Sequence, residues 1–160
     1  MGKFVRIIRF INIFCAAITA GGLVMVGMAV YPAMKTFEPR ITARIHRAID
    51  LLPDRYMRPS TITSVVTAIL LLILGRKEQP KATRYTAIGL LGSLGIIFTS
   101  EFFNVRINRI VHSWADDYTA PEYPQMLQRW GKFHVVRTTS SLVALVSYII
   151  AGMARDSAKR

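Results

Sequence analysis

Residues 101–141 read EFFNVRINRIVHSWADDYTAPEYPQMLQRWGKFHVVRTTSS, a run of polar side chains set between two apolar stretches. At about 100° per residue, Glu101, Asn104, Asn108 and His112 fall within an arc of about 80° on one helix. Trp130, His134, Arg137 and Ser141 fall within about 60° on another. The polar, aromatic loop between them is short, so the two helices form an antiparallel hairpin whose stripes come level. The stretch therefore predicts two membrane-length helices with a candidate site where their polar faces meet.

The composition of the whole chain agrees with membrane helices. Of the 160 residues, 52% are hydrophobic and only 19% charged, with a mean hydropathy of +0.34. That is too apolar for an ordinary soluble domain of this length. A net charge of +12 would suggest nucleic acid in a soluble chain. Here the basic residues cluster at the ends of apolar runs, where they meet anionic lipid headgroups, so the bilayer is the expected partner and nucleic acid is not. The single Cys15 lies inside an apolar run; it cannot form a disulfide within one chain and reads as a buried structural thiol. Lys3, Arg6 and Arg9 precede an apolar stretch that continues to Tyr31. That exceeds the ~7–15 residues of a signal-peptide core, and the stretch is expected to remain as a membrane helix.

Four spans are expected, at about 7–34, 60–75, 85–112 and 125–154. The first contains Asn12 as its only strongly polar residue, with small-residue surfaces at Ala20-Gly21-Gly22 and Gly27. Between the first and second spans, Ile41, Ile45, Ile49 and Leu52 recur about every four residues among arginines and acids. This spacing predicts an amphipathic interfacial helix over about 39–52, begun at Pro39 and stopped at Pro53-Asp54. The third span carries Gly89, Gly92 and Gly95, another surface for close helix packing. The fold class is thus an all-α, integral membrane four-helix bundle with one interfacial helix, forming a single domain. Four spans put both termini on one side, with ten basic residues against two acids; the other side has eleven against seven. Both termini are expected in the cytoplasm and the protein in the plasma or inner membrane.

Charged and strongly polar residues near membrane spans face a partner or a water-filled cavity. Asn108, His134 and Arg137 are expected to bond one another across the hairpin, purely as structure or as a pocket roofed by the interfacial helix. His46 and Asp50 lie one turn apart on that helix, so they can hydrogen-bond or jointly hold a ligand. In the functional reading His134 is the proton-transfer group, Arg137 and Asn108 meet the polar end of the substrate, and Trp130, Glu101, His46 and Asp50 line its pocket. His46, Asp50, His112 and His134 are also suitable metal ligands by type, but no HxxxH or HxH spacing accompanies them, and no cofactor is expected. There is no haem-attachment motif, phosphate-cradling glycine loop or nucleophile elbow.

Val105-Arg106-Ile107-Asn108, then a Trp-containing loop, then Arg129-Trp130-Gly131-Lys132-Phe133-His134-Val135-Val136-Arg137-Thr138 resembles the anthrone oxygenase-like family of small four-helix membrane proteins. The likeness extends to Ala20-Gly21-Gly22, Tyr31-Pro32-Ala33 and Ile45–Asp50, and Arg106 stands where the family has Pro. The resemblance implies roles for Asn108, Trp130, His134 and Arg137, and for Pro32 and His46. Characterised relatives oxidise anthrones to anthraquinones with dioxygen and no bound cofactor. The expectation is therefore an oxygenase acting on an apolar aromatic or polyketide-like compound. The alternative is a non-catalytic membrane subunit whose polar network fixes helix packing and whose 36–59 segment docks a partner complex. Homo-oligomer and larger complex both stay open.

Overall fold

The computed structural model describes residues 2–74, 80–115 and 119–156, with side chains 51–54 and 155–156 outside the description. Among the described residues there are helices and no strands. α1 (Gly2–Met25) passes through a π turn (Val26–Val30) into α2 (Tyr31–Met34). α3 spans Pro39–Leu74 and α4 spans Pro80–Thr99; a second π turn (Ser100–Asn104) joins α4 to α5 (Val105–His112). α6 is Tyr123–Asp156. Four segments are long and apolar enough to cross a membrane: Gly2–Met34, Arg55–Leu74, Pro80–His112 and Tyr123–Ala154. The chain is an all-α integral membrane bundle.

Its core is held by small residues and hydroxyls, because lipid gives apolar side chains little reason to prefer a neighbouring helix. α6 packs along α4 and α1, and α1 along α3. The glycine surface of the third span is the α4–α6 seam: a Cβ on Gly89 would come within 2.4 Å of the Tyr148 ring, and one on Gly92 within 2.8 Å of the Ser140 carbonyl. The first span is less uniform. Gly22 meets Met57 and Gly27 meets the His134 ring, whereas Gly21 faces open space. Asn12 pins α1 to α3 by donating to the Ser64 carbonyl (2.8 Å) and the Thr67 hydroxyl (3.1 Å).

The amphipathic helix expected after the first span is present, but it does not stop at Pro53-Asp54. α3 continues helically through Pro53 and Pro59 to Leu74. A proline inside a helix costs about 3 kcal/mol. Here both halves of α3 are held by packing: Ile45 and Ile49 lie on the cluster of Met34, Val111 and Tyr123, while Thr61, Ser64 and Thr67 bond or abut α1. Pro59 is exposed at the polar end of the span, where water can serve the carbonyl it leaves unpaired. Ile41 is 45% exposed; the side chain of Leu52 and residues 76–79 of the basic 76–84 loop lie outside the description, and residues 80–84 of that loop already belong to α4.

Two features place the site. At ~1.5 Å per residue, the 33-residue first and third spans are about 50 Å long against ~30 Å of hydrocarbon, so part of the bundle stands above the bilayer core. The second π turn inserts an extra residue. In an uninterrupted helix Asn104 would lie about 140° from Thr99; the insertion returns it by about 100°, and both are buried.

Candidate functional site

Three elements converge on Asn108. α3 contributes His46 and Asp50, α5 contributes Asn108 and His112, and α6 contributes Tyr123 and Trp130. Trp130 Nε1, which can only donate, lies 2.9 Å from Asn108 Oδ1 and so fixes the amide's orientation. His46 Nε2 lies 3.1 Å from the same oxygen and must also donate. The neutral imidazole then presents a bare Nδ1, which accepts from the Tyr123 hydroxyl at 3.2 Å. The Asn108 amide nitrogen donates to Asp50 Oδ1, and His112 Nε2 meets Asp50 Oδ2 at 3.1 Å. His46 is 2% exposed, and its burial pushes its pKa below the ordinary 6.5, with the Asn108 bond and Asp50 charge acting the other way. The Asp50 and His112 side chains remain 30% exposed, so this end of the chain of bonds reaches water.

Beside this network lies a cavity of about 170 Å³, lined by His46, Asp50, Asn108, Trp130 and Arg137 at its polar positions. Its lining continues through Leu23, Thr61 and Ile96 to Ile62 and Arg58 on α3 and Glu101 on the second π turn, all about half exposed at the surface of the bundle. Arg58 and Glu101 form an ion pair there, with both side chains about half exposed. By the volume one water-sized sphere occupies, the space equals on the order of ten waters.

The hairpin brings its stripes level, as the Asn108–Trp130 bond shows, but the members do not all meet. His134 does not bond Asn108 or line the cavity. It is 1% exposed, stacks on Trp130 at 5.0 Å, and its Nε2–H donates to the Leu23 carbonyl just ahead of the first π turn. Glu101 leaves the stripe for Arg58, because the extra residue of the π turn rotates it away from the Asn104–Asn108–His112 face. Asn104 instead donates to the Trp130 carbonyl at 3.1 Å. His46 and Asp50 do not bond each other; Asn108 joins them. Among the described residues no group of three His, Cys, Asp or Glu side chains is arranged to hold a metal. His134 stands apart from the other ligand types, and both His46 nitrogens already have partners.

Sequence reasoning missed Tyr123 and Arg58. Tyr123 could have been noticed at the start of the fourth apolar run, whereas nothing local marks Arg58 as the partner of a residue 43 positions away. His112 was visible on the stripe but not as the partner of Asp50.

Fold and site together define an integral membrane helical protein with a cavity beside a hydrogen-bonded polar network. The family described as anthrone oxygenase matches residues 52–147, more than half of the chain, and the chain belongs to that family. The likenesses at residues 20–33 and 45–50 lie outside the matched residues. No curated protein and no solved structure matches.

Proposed function

We propose that the protein is a membrane-embedded oxygenase that converts an activated CH₂ of an apolar aromatic or polyketide-like compound to a carbonyl with dioxygen. The observation that carries this reading is one cavity that reaches the outer surface of the bundle and ends on a carboxylate with a path to water. Asp50 is the proton acceptor in this scheme, because its carboxylate lines the cavity while both His46 nitrogens are engaged. The residue assigned that role from the stripe alone, His134, lies behind Trp130.

Asp50 removes a C–H proton, and the resulting carbanion gives one electron to dioxygen. The carbon radical and superoxide combine and take up the proton as a hydroperoxide, which loses water to leave the carbonyl: CH₂ + O₂ → C=O + H₂O. His112 passes protons between Asp50 and the aqueous surface, and Asn108 holds the carboxylate in place. Trp130 supplies an aromatic wall.

The test is oxygen uptake with anthrone by the protein in lipid nanodiscs. Asp50→Asn should lower turnover by roughly 10²–10⁴-fold, the usual worth of a positioned base, while His134→Gln retains most of it. Loss of turnover in His134→Gln with Asp50→Asn still active would refute the assignment of the base. No uptake by the unaltered protein with any anthrone-type compound would refute the oxygenase reading.

A further inference from the structure

The cavity has a second polar layer that the proton-transfer scheme does not use. Arg58, Glu101 and Arg137 all line it, on α3, the second π turn and α6. Glu101 is seven residues from Asn108, Arg137 seven from Trp130, and Arg58 eight from Asp50. At ~1.5 Å per residue, three separate helices place this layer about 10–12 Å from the Asn108 network.

Sequence spacing fixes its depth. From Arg58 to Leu74 is about 24 Å, from Arg84 to Glu101 about 26 Å, and from Arg137 to residue 155 about 27 Å at the same rise. These lengths approach the ~30 Å of a hydrocarbon core. The layer therefore sits at the edge of the hydrocarbon, and the Asn108 network stands beyond it on the headgroup side.

Two guanidinium groups and one carboxylate face the cavity in this layer, whereas the network end presents the Asp50 carboxylate. A molecule with an acid at one end is repelled by Asp50 and attracted by the arginines. We propose that the layer is an anion-binding subsite, and that the substrate is an aromatic carboxylic acid whose acid group lies about 10 Å from the carbon presented to Asp50. The orientation part of this proposal rests on the oxygenase reading; the subsite itself is read by binding alone. Arg58 and Arg137 hold the carboxylate by charge-assisted bonds. Glu101 keeps Arg58 at the cavity wall in its absence and competes with the ligand for it.

The test compares anthracene-2-carboxylic acid with its methyl ester, binding followed by ring fluorescence. The protein sits in nanodiscs of zwitterionic lipid, with empty discs as the partition control. A charge-assisted bond contributes ~1.5–3 kcal/mol, so the acid should bind at least about tenfold more tightly than the ester. Arg137→Gln should bring the two within about twofold, and Glu101→Gln should widen the preference. Arg58→Gln, a change at a half-exposed position, repeats the first comparison should Arg137→Gln fold poorly. An equal preference in parent and variants, or none in the parent, overturns the proposal. Loss of the acid preference when anionic lipid is added to the discs also overturns it, because the arginines then serve a lipid phosphate. These outcomes stand whether or not oxygen is consumed, so failure of the subsite and failure of the oxygenase reading are told apart.

Discussion

Replacing Asn108 by Leu removes the one group that joins the three elements of the site. Two donors lose their acceptor: Trp130 Nε1–H, on a side chain 5% exposed, and His46 Nε2–H, on one 2% exposed. Leaving a buried donor unsatisfied costs ~1–3 kcal/mol, so the pair predicts a loss of about 2–6 kcal/mol. Asp50 loses a bond too, but its side chain is 30% exposed and water can replace the amide. The assay is reversible unfolding by a denaturing detergent, followed by circular dichroism, for Asn108→Leu, Trp130→Phe and the double variant. Trp130→Phe removes one of the stranded donors while keeping a ring, so the double variant should cost less than the sum by about 1 kcal/mol or more. A single variant within about 0.5 kcal/mol of the parent, or a cycle additive within that margin, would refute Asn108 as the shared acceptor.

Two further predictions concern pH and packing. His46 is held below its ordinary pKa of 6.5 in the fold, so the unfolded chain takes up a proton first; stability present above that value is lost as pH falls through the lower folded value. His46→Gln should flatten that part of a stability–pH profile, and an unchanged acid slope would contradict the neutral, donor-at-Nε2 imidazole. Gly89→Ala forces a Cβ to within 2.4 Å of the Tyr148 ring and should cost roughly 1–3 kcal/mol, whereas Gly21→Ala meets nothing within 4 Å and should be neutral or slightly stabilising in the same unfolding assay.

Much of the architecture was legible because periodicity and hydropathy are local. The spans, the Gly89–Gly92–Gly95 seam and the inward face of Asn108 all follow from spacing alone. The site was legible only in part. A proline pair reads as a stop, and only the packing of both halves of α3 shows why the helix continues. A π turn has no signature in these residues, yet its added residue decides that Asn104 joins the face of Asn108 and that Glu101 pairs with Arg58 instead. His134 reads as the working base because it shares a stripe with Trp130; that its Nε2 instead donates to a main-chain carbonyl of α1 depends on a residue 111 positions away.

Because the spans are longer than the bilayer is thick, the chamber belongs to two solvents at once. Its lower wall reaches the half-exposed Ile62 on a membrane-length segment, beside hydrocarbon that dissolves both aromatic rings and dioxygen, while Asp50 at its upper end, bonded to His112, meets water, which dissolves protons. In the proposed reaction, reactants that concentrate in oil and a charge that can only be discharged into water would therefore meet without either crossing a phase boundary. A soluble enzyme of this size would have to extract such a substrate from the membrane first; under the proposed function this bundle would take it by lateral diffusion, at the concentration the lipid already holds.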